Sequence, residues 1–145
     1  MSKYAFLCGS APEDFRQKKL IEMQEFLISE EGGSLPERNV CVFPNGVSEL
    51  LLEYGLNNIF DGKAGDEADS ILLYFCTERP VRDDDSSVWL GGEEIRREVI
   101  SYYENLAKKC GIGFQVIFDS DSEFVAEEAL GWEKVAAEDF RRNMA

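Results

Sequence analysis

The chain contains no histidine. Histidine is the commonest general base and the commonest neutral metal ligand, so Cys-His and Ser-His nucleophile pairs and ordinary zinc sites are set aside at the outset. The four cysteines, Cys8, Cys41, Cys76 and Cys110, show no CxxC spacing. Basic residues are scarce: 15 against 29 acidic, a net charge of −14. Such a field repels phosphate backbones and anionic membrane surfaces and favours cations or basic protein surfaces, which sets aside nucleic acid as a partner. No apolar run approaches the roughly 20 residues of a membrane helix, and no basic segment precedes an apolar one as in a signal peptide. A cytoplasmic chain without a membrane partner is the expectation.

What is present reads as one domain over residues 1–145, long enough to remove roughly 70% of its unfolded surface from water. Tyr4 to Cys8 is a short apolar run ending at Gly9, followed by Ser10-Ala11-Pro12-Glu13, a capping box with Pro in the first turn. Phe15, Leu20, Met23, Phe26 and Leu27 then stripe a helix that Gly32-Gly33 ends. Val40 to Phe43 reads as a strand closed by the Pro44-Asn45-Gly46 turn. Val47, Leu50, Leu51 and Tyr54 predict a second helix interrupted at Gly55.

Ile71 to Cys76 is apolar on both faces, as an inner strand of a parallel sheet must be. An acidic loop through Asp83-Asp84-Asp85-Ser86-Ser87 follows. Gly92 then leads to a helix with Ile95, Val99, Tyr102, Leu106 and Cys110 inward, its charges matching the helix dipole. Phe114 to Phe118 is a fourth strand, and Val125, Ala129, Trp132, Ala136 and Phe140 mark a final helix from Glu123 onward. Trp89 and Trp132 read as packing residues, and Cys8, Cys41 and Cys76 as small hydrophobes within or at the end of apolar runs. Alternating strands and helices predict an α/β fold, a three-layer αβα sandwich around a mostly parallel sheet. Ligands in such sheets sit at the carboxyl ends of the strands. Here that edge collects Cys8-Gly9-Ser10, Pro44-Asn45-Gly46, Cys76 to Arg79 and Asp119 to Glu123.

In this order the chain resembles the caspase-like fold of caspases, metacaspases, paracaspases and bacterial relatives, from Tyr4 to about Glu123. In that family the third strand reads Asp, apolar residues, aromatics, then Ser-Gly-His-Gly. Asp69-Ser70-Ile71-Leu72-Leu73-Tyr74-Phe75-Cys76-Thr77-Glu78-Arg79 follows the same spacing. The resemblance implies that Cys76 takes the Ser place, Thr77 and Arg79 the glycine places, and Glu78 the place of the catalytic base. Phe118-Asp119-Ser120-Asp121-Ser122-Glu123 is similar to the end of the family's fourth strand, with Asp121 where the nucleophilic Cys stands. The segment around Trp89-Leu90, followed by Gly-Gly and a helix, fits between those strands.

Both reacting residues of the family are thus replaced, at Glu78 and Asp121, and nothing after Glu123 reads as the further strands of a complete peptide cleft. The resemblance implies a large-subunit-like portion that is non-catalytic, a pseudo-peptidase module acting on a protein partner or on a second copy through the sheet edge left by Phe114 to Phe118. A Cys76 nucleophile is disfavoured because Glu78, Asp119 and Asp121 crowd the same edge and raise a thiol pKa.

Two alternatives come from the residues themselves. Glu78, Asp119, Asp121 and Glu123 are oxygen ligands suited to Mg²⁺ or Ca²⁺, which predicts metal-dependent hydrolysis or a metal-binding domain. Their other reading is a set of acids favoured by a helix start. A flavodoxin-like α/β domain without peptidase ancestry is the second alternative. No organic cofactor is expected on any of these readings.

Overall fold

The computed structural model describes residues 2–9, 14–61, 68–77, 81–82, 84–120 and 124–126. In chain order its elements are β1 (Ser2–Gly9), α1 (Asp14–Ile28), a single 3-10 turn (Glu37–Asn39), β2 (Val40–Phe43), α2 (Glu49–Asp61), β3 (Ala68–Thr77), β4 (Ser87–Leu90), β5 (Glu93–Arg96), α3 (Arg97–Cys110), β6 (Gly113–Ser120) and β7 (Phe124–Ala126).

The central strand is β3. Ile71, Leu73 and Phe75 point into one layer and Leu72, Tyr74 and Cys76 into the other, all of them buried. Only a continuous apolar run tolerates burial on both sides. β3 pairs in parallel with β1 on one flank and with β6 on the other. β2 adds in parallel beyond β1, and β7 lies antiparallel beyond β6, giving the order β2-β1-β3-β6-β7. On one face α1 packs through Leu20, Met23 and Leu27. On the other lie α2, α3 and the antiparallel β4–β5 hairpin, which contributes Val88, Leu90 and Ile95. The molecule is therefore α/β, with a mostly parallel sheet between helical layers. No helix among the described residues is long and apolar enough to cross a membrane.

The helical faces differ from the expected ones. Leu52, Leu56 and Ile59 are the buried face of α2, whereas Leu50, Leu51 and Tyr54 are exposed. Val47 is buried but lies ahead of the helix, which Ser48 caps by accepting the Leu51 N–H at 3.2 Å. A helical count begun at Val47 therefore carries the wrong phase. Gly55 does not interrupt α2; a Cβ there would stand 2.8 Å from Phe6 Cε1, so glycine lets the helix lie close on the sheet.

The same misphasing recurs in α3. Ile95 is buried in a strand, and the helix buries Val99, Ile100, Tyr103 and Ala107 while Tyr102 and Cys110 are exposed. In the hairpin, Val88 and Leu90 point inward, so the two-residue period of a strand turns the intervening Trp89 out to 59% exposure. Cys41 is likewise exposed, on the outermost parallel strand.

Phe124–Ala126 forms a strand rather than the start of a helix. Its pairing with Ile117, Phe118 and Asp119 covers part of the β6 edge expected to be free. Ala129, Trp132, Ala136 and Phe140 lie outside the described residues, as does the capping box at Ser10 to Glu13.

The phase of α2 is testable by substitution. Leu52→Ala should cost about 2–5 kcal/mol, the range for emptying a well-packed leucine site. Leu51→Ala, on the exposed side, should stay within about 0.5 kcal/mol. Urea denaturation of both variants measures the difference, and equal losses would refute the assigned face.

Candidate functional site

Because β1, β2, β3 and β6 run parallel, their carboxyl ends share one edge. At the end of β1, a Cβ on Gly9 would meet Leu20 Cδ1 at 2.6 Å and the Pro44 carbonyl oxygen at 3.0 Å. Glycine there allows α1 and the turn after β2 to close on the edge. Between β3 and β6 the register is Cys76 with Asp119 and Thr77 with Ser120. All four of these residues are buried.

The alternation of β6 puts Asp119 on the α1 face, with Ile117 two residues before it. There it meets a cation. Lys19 Nζ donates to Asp119 Oδ1 at 3.3 Å and to the Ser120 carbonyl oxygen at 3.4 Å, and the Tyr74 hydroxyl donates to Asp119 Oδ2 at 2.5 Å. Lys19 is 3% exposed and Asp119 0%. An isolated buried charge is strongly disfavoured, so each of these ions is tolerable only because the other neutralises it and hydrogen bonds occupy its remaining positions. The interaction ties α1 to the end of β6 across the face of β3.

Lys19 and Tyr74 did not stand out in the sequence, although a signal for the lysine is there. Lys19 is four residues after Phe15 and four before Met23, inside the apolar stripe of α1. A charge on a stripe that must face the sheet calls for a buried partner. Nothing comparable marks Tyr74, which looks like any other apolar strand residue.

Of the residues singled out at this edge, Cys76 and Asp119 are described and lie side by side in register. Glu78, Arg79, Asp121 and Glu123 lie outside the described residues. Asp119 is not a carboxylate open to solvent, as a metal ligand was expected to be; it is the buried partner of an ammonium group. Among the described residues no group of three or more Cys, Asp or Glu side chains is placed to hold a metal ion. Burial pushes the Cys8 thiol far above its ordinary pKa and, more weakly, raises that of Cys41. Neither is a poised thiolate.

Two other polar features were not among the residues singled out. Gln115, fully buried on β6, has neither amide atom hydrogen-bonded among the described residues. An unpaired buried group costs about 1–3 kcal/mol, which makes Gln115 a weak point of the inner face. Around the start of α3, a pocket of about 390 Å³ is lined by Ser86, Ser87, Glu94, Arg96, Arg97 and Glu98. Its charges are committed: Arg96 to Glu49 and Glu98, Glu94 to the Ser87 hydroxyl, and Arg97 to the Arg82 carbonyl and the face of Phe118, 5.1 Å from the ring centre.

The ion pair makes a quantitative prediction. Lys19→Met and Asp119→Asn should each cost about 3–5 kcal/mol, because each leaves one charge buried without its partner. The double variant should cost far less than the sum, since it leaves neither. Chemical denaturation of the full cycle measures the coupling, and additive losses would show that the two groups do not depend on each other.

Compared with protein-family models, with curated proteins and with solved structures, the chain matches none of them.

Proposed function

We propose that this chain is a non-catalytic, caspase-like domain, a pseudo-peptidase that works by binding another protein. One observation carries the reading. β3 and β6 are adjacent, parallel and in register to their last residues, Thr77 opposite Ser120. The next residue on each is Glu78 and Asp121, the two that the resemblance assigns to the base and nucleophile places. Neighbouring strands that lead in register to the two positions are what a Cys/His dyad requires. Here both are carboxylates, which supply neither an imidazole base nor a thiolate.

The side chains leading to those positions support inertness as well. Cys76 is fully buried, and its register neighbour Asp119 is occupied by Lys19 and Tyr74. A divalent cation at Asp119 would have to displace a buried ammonium group, which weighs against the metal-dependent reading. The sheet order begins as a flavodoxin-like one does, 2-1-3-4. The next place, however, is taken by antiparallel β7, joined to β6 by residues 121–123 with no room for a crossover helix. That departure weighs against the flavodoxin-like reading.

A binding role needs a surface. With β7 over part of the β6 flank, the described sheet ends at β7 on one side and at β2 on the other, and β2 is the longer of the two edge strands. Its four residues, Val40–Phe43, suit a short partner strand added by backbone hydrogen bonds.

Catalysis is tested directly with a panel of fluorogenic peptides cleaved after basic, acidic and aromatic residues, assayed with and without Mg²⁺, Mn²⁺ and Ca²⁺. The expected result is no turnover above buffer and no rise in melting temperature with any cation. Hydrolysis abolished by Cys76→Ala, or a cation-dependent rise abolished by Asp121→Asn, would overturn the non-catalytic reading.

A further inference from the structure

The outward face of α2 is unusual for a helix of a small, highly charged chain. Leu50 is 77% exposed and Tyr54, one turn on, 66%, with Leu51 beside them. Large apolar side chains clustered in the open mark contact surfaces more often than isolated ones do. The cluster continues toward α3, where Tyr102 is 59% exposed. Tyr103 joins the two helices: it stacks on Phe60, meets Tyr102 edge-on at 5.0 Å, and donates its hydroxyl to Asn57 Oδ1 at 2.7 Å. The seam between α2 and α3 is thus aromatic and fixed, with exposed apolar groups on both sides.

Its frame is acidic. Glu49 and Glu53 lie on α2, Asp61 at its end, and Glu98 in the first turn of α3. Burial first, and then the charges of Glu53 and Asp61, push the Tyr103 hydroxyl pKa up, which sets both carboxylates near the seam. Arg96, the basic residue on this side, is held by Glu49 at 3.0 Å and Glu98 at 2.9 Å. Lys108 and Lys109 stand at the far end of α3.

The geometry points to the α2–α3 face as a docking surface for a basic, amphipathic helix of a partner protein, with Leu50, Tyr54 and Tyr102 taking its apolar side and Glu53, Asp61 and Glu98 its cations. A helix laid on an exposed apolar face is an established mode of recognition, and charge complementarity selects its sign. A second copy of the chain fits poorly. An isologous contact sets a patch against itself, so these carboxylates would face their own counterparts on chains that each carry a net charge of −14. The surface is on the outward side of α2 and α3, and it stands or falls independently of the caspase-like reading.

The test uses the full chain and a labelled Leu/Lys peptide of about 18 residues with helical amphipathic spacing, followed by fluorescence anisotropy. A scrambled peptide of the same composition is the control for charge alone. The amphipathic peptide should bind about tenfold or more tightly than the scrambled one, and Leu50→Ser/Tyr54→Ser should abolish that advantage. Glu53→Gln/Glu98→Gln should weaken binding several-fold at low salt, with the difference shrinking as ionic strength rises. Leu50, Tyr54 and Glu98 are exposed and Glu53 is half-buried, and unchanged melting of both double variants separates lost binding from lost fold. Absent binding, equal binding of the scrambled peptide, or unchanged binding by Leu50→Ser/Tyr54→Ser would overturn the proposal. So would self-association in sedimentation that Leu50→Ser/Tyr54→Ser reverses, since the occupant would then be a second copy.

Discussion

The structure depends on β3 being buried on both faces. Its residues from Ile71 to Cys76 alternate between two apolar layers, and both neighbours pair with it in parallel along nearly its whole length. That burial does more than stabilise a sheet. It brings the ends of β3 and β6 together in the interior, so any polar group placed there needs a partner. Asp119 has its partners in Lys19 and Tyr74, and Cys76 is fully buried beside it. The chemistry of the edge is a consequence of its packing.

The lysine that neutralises Asp119 comes from α1, the only helix described on that face. One ion pair therefore joins the first helix to the fourth parallel strand and holds the layer against the sheet. In a chain with a net charge of −14, an uncompensated carboxylate at this place would add to self-repulsion as well as desolvation. The pairing offsets both. It also commits one of the four carboxylates on which a metal-dependent mechanism would draw. Of the large apolar groups that reach solvent, Leu50, Leu51, Tyr54, Trp89 and Tyr102 are on the opposite helical layer and the hairpin, and Ile21 is on α1 itself.

Much of this was legible in the sequence, and the failures share a cause. The strands at Val40 to Phe43, Ile71 to Cys76 and Phe114 to Phe118 stand out because continuous apolar runs between turn signals have few other readings. The helices also stand out, but their buried faces do not. Val47, Ile95 and Val125 each lie in a non-helical segment next to a helix or an apparent one, and a helical count begun from any of them runs out of phase. Periodicity locates a helix more readily than it fixes which residue first belongs to it. Lys19 was legible in principle, as a charge inside an apolar stripe. Tyr74 was not, because its role comes from a strand 45 residues away. The hairpin at Val88 to Leu90 and the strand at Phe124–Ala126 were missed because short strands carry little pattern and take their pairing from tertiary contacts.

The non-catalytic reading proposed above requires that Cys76, buried at the end of β3, is not an activated thiolate. Iodoacetamide labelling of the native protein, with each cysteine followed by mass spectrometry across pH, tests it most directly. Cys41 and Cys110 should be modified readily and Cys8 and Cys76 only on unfolding, in line with their exposure. Native Cys76 reacting faster than Cys110, at a rate that stays high below about pH 7, would reveal an activated thiolate and contradict the account.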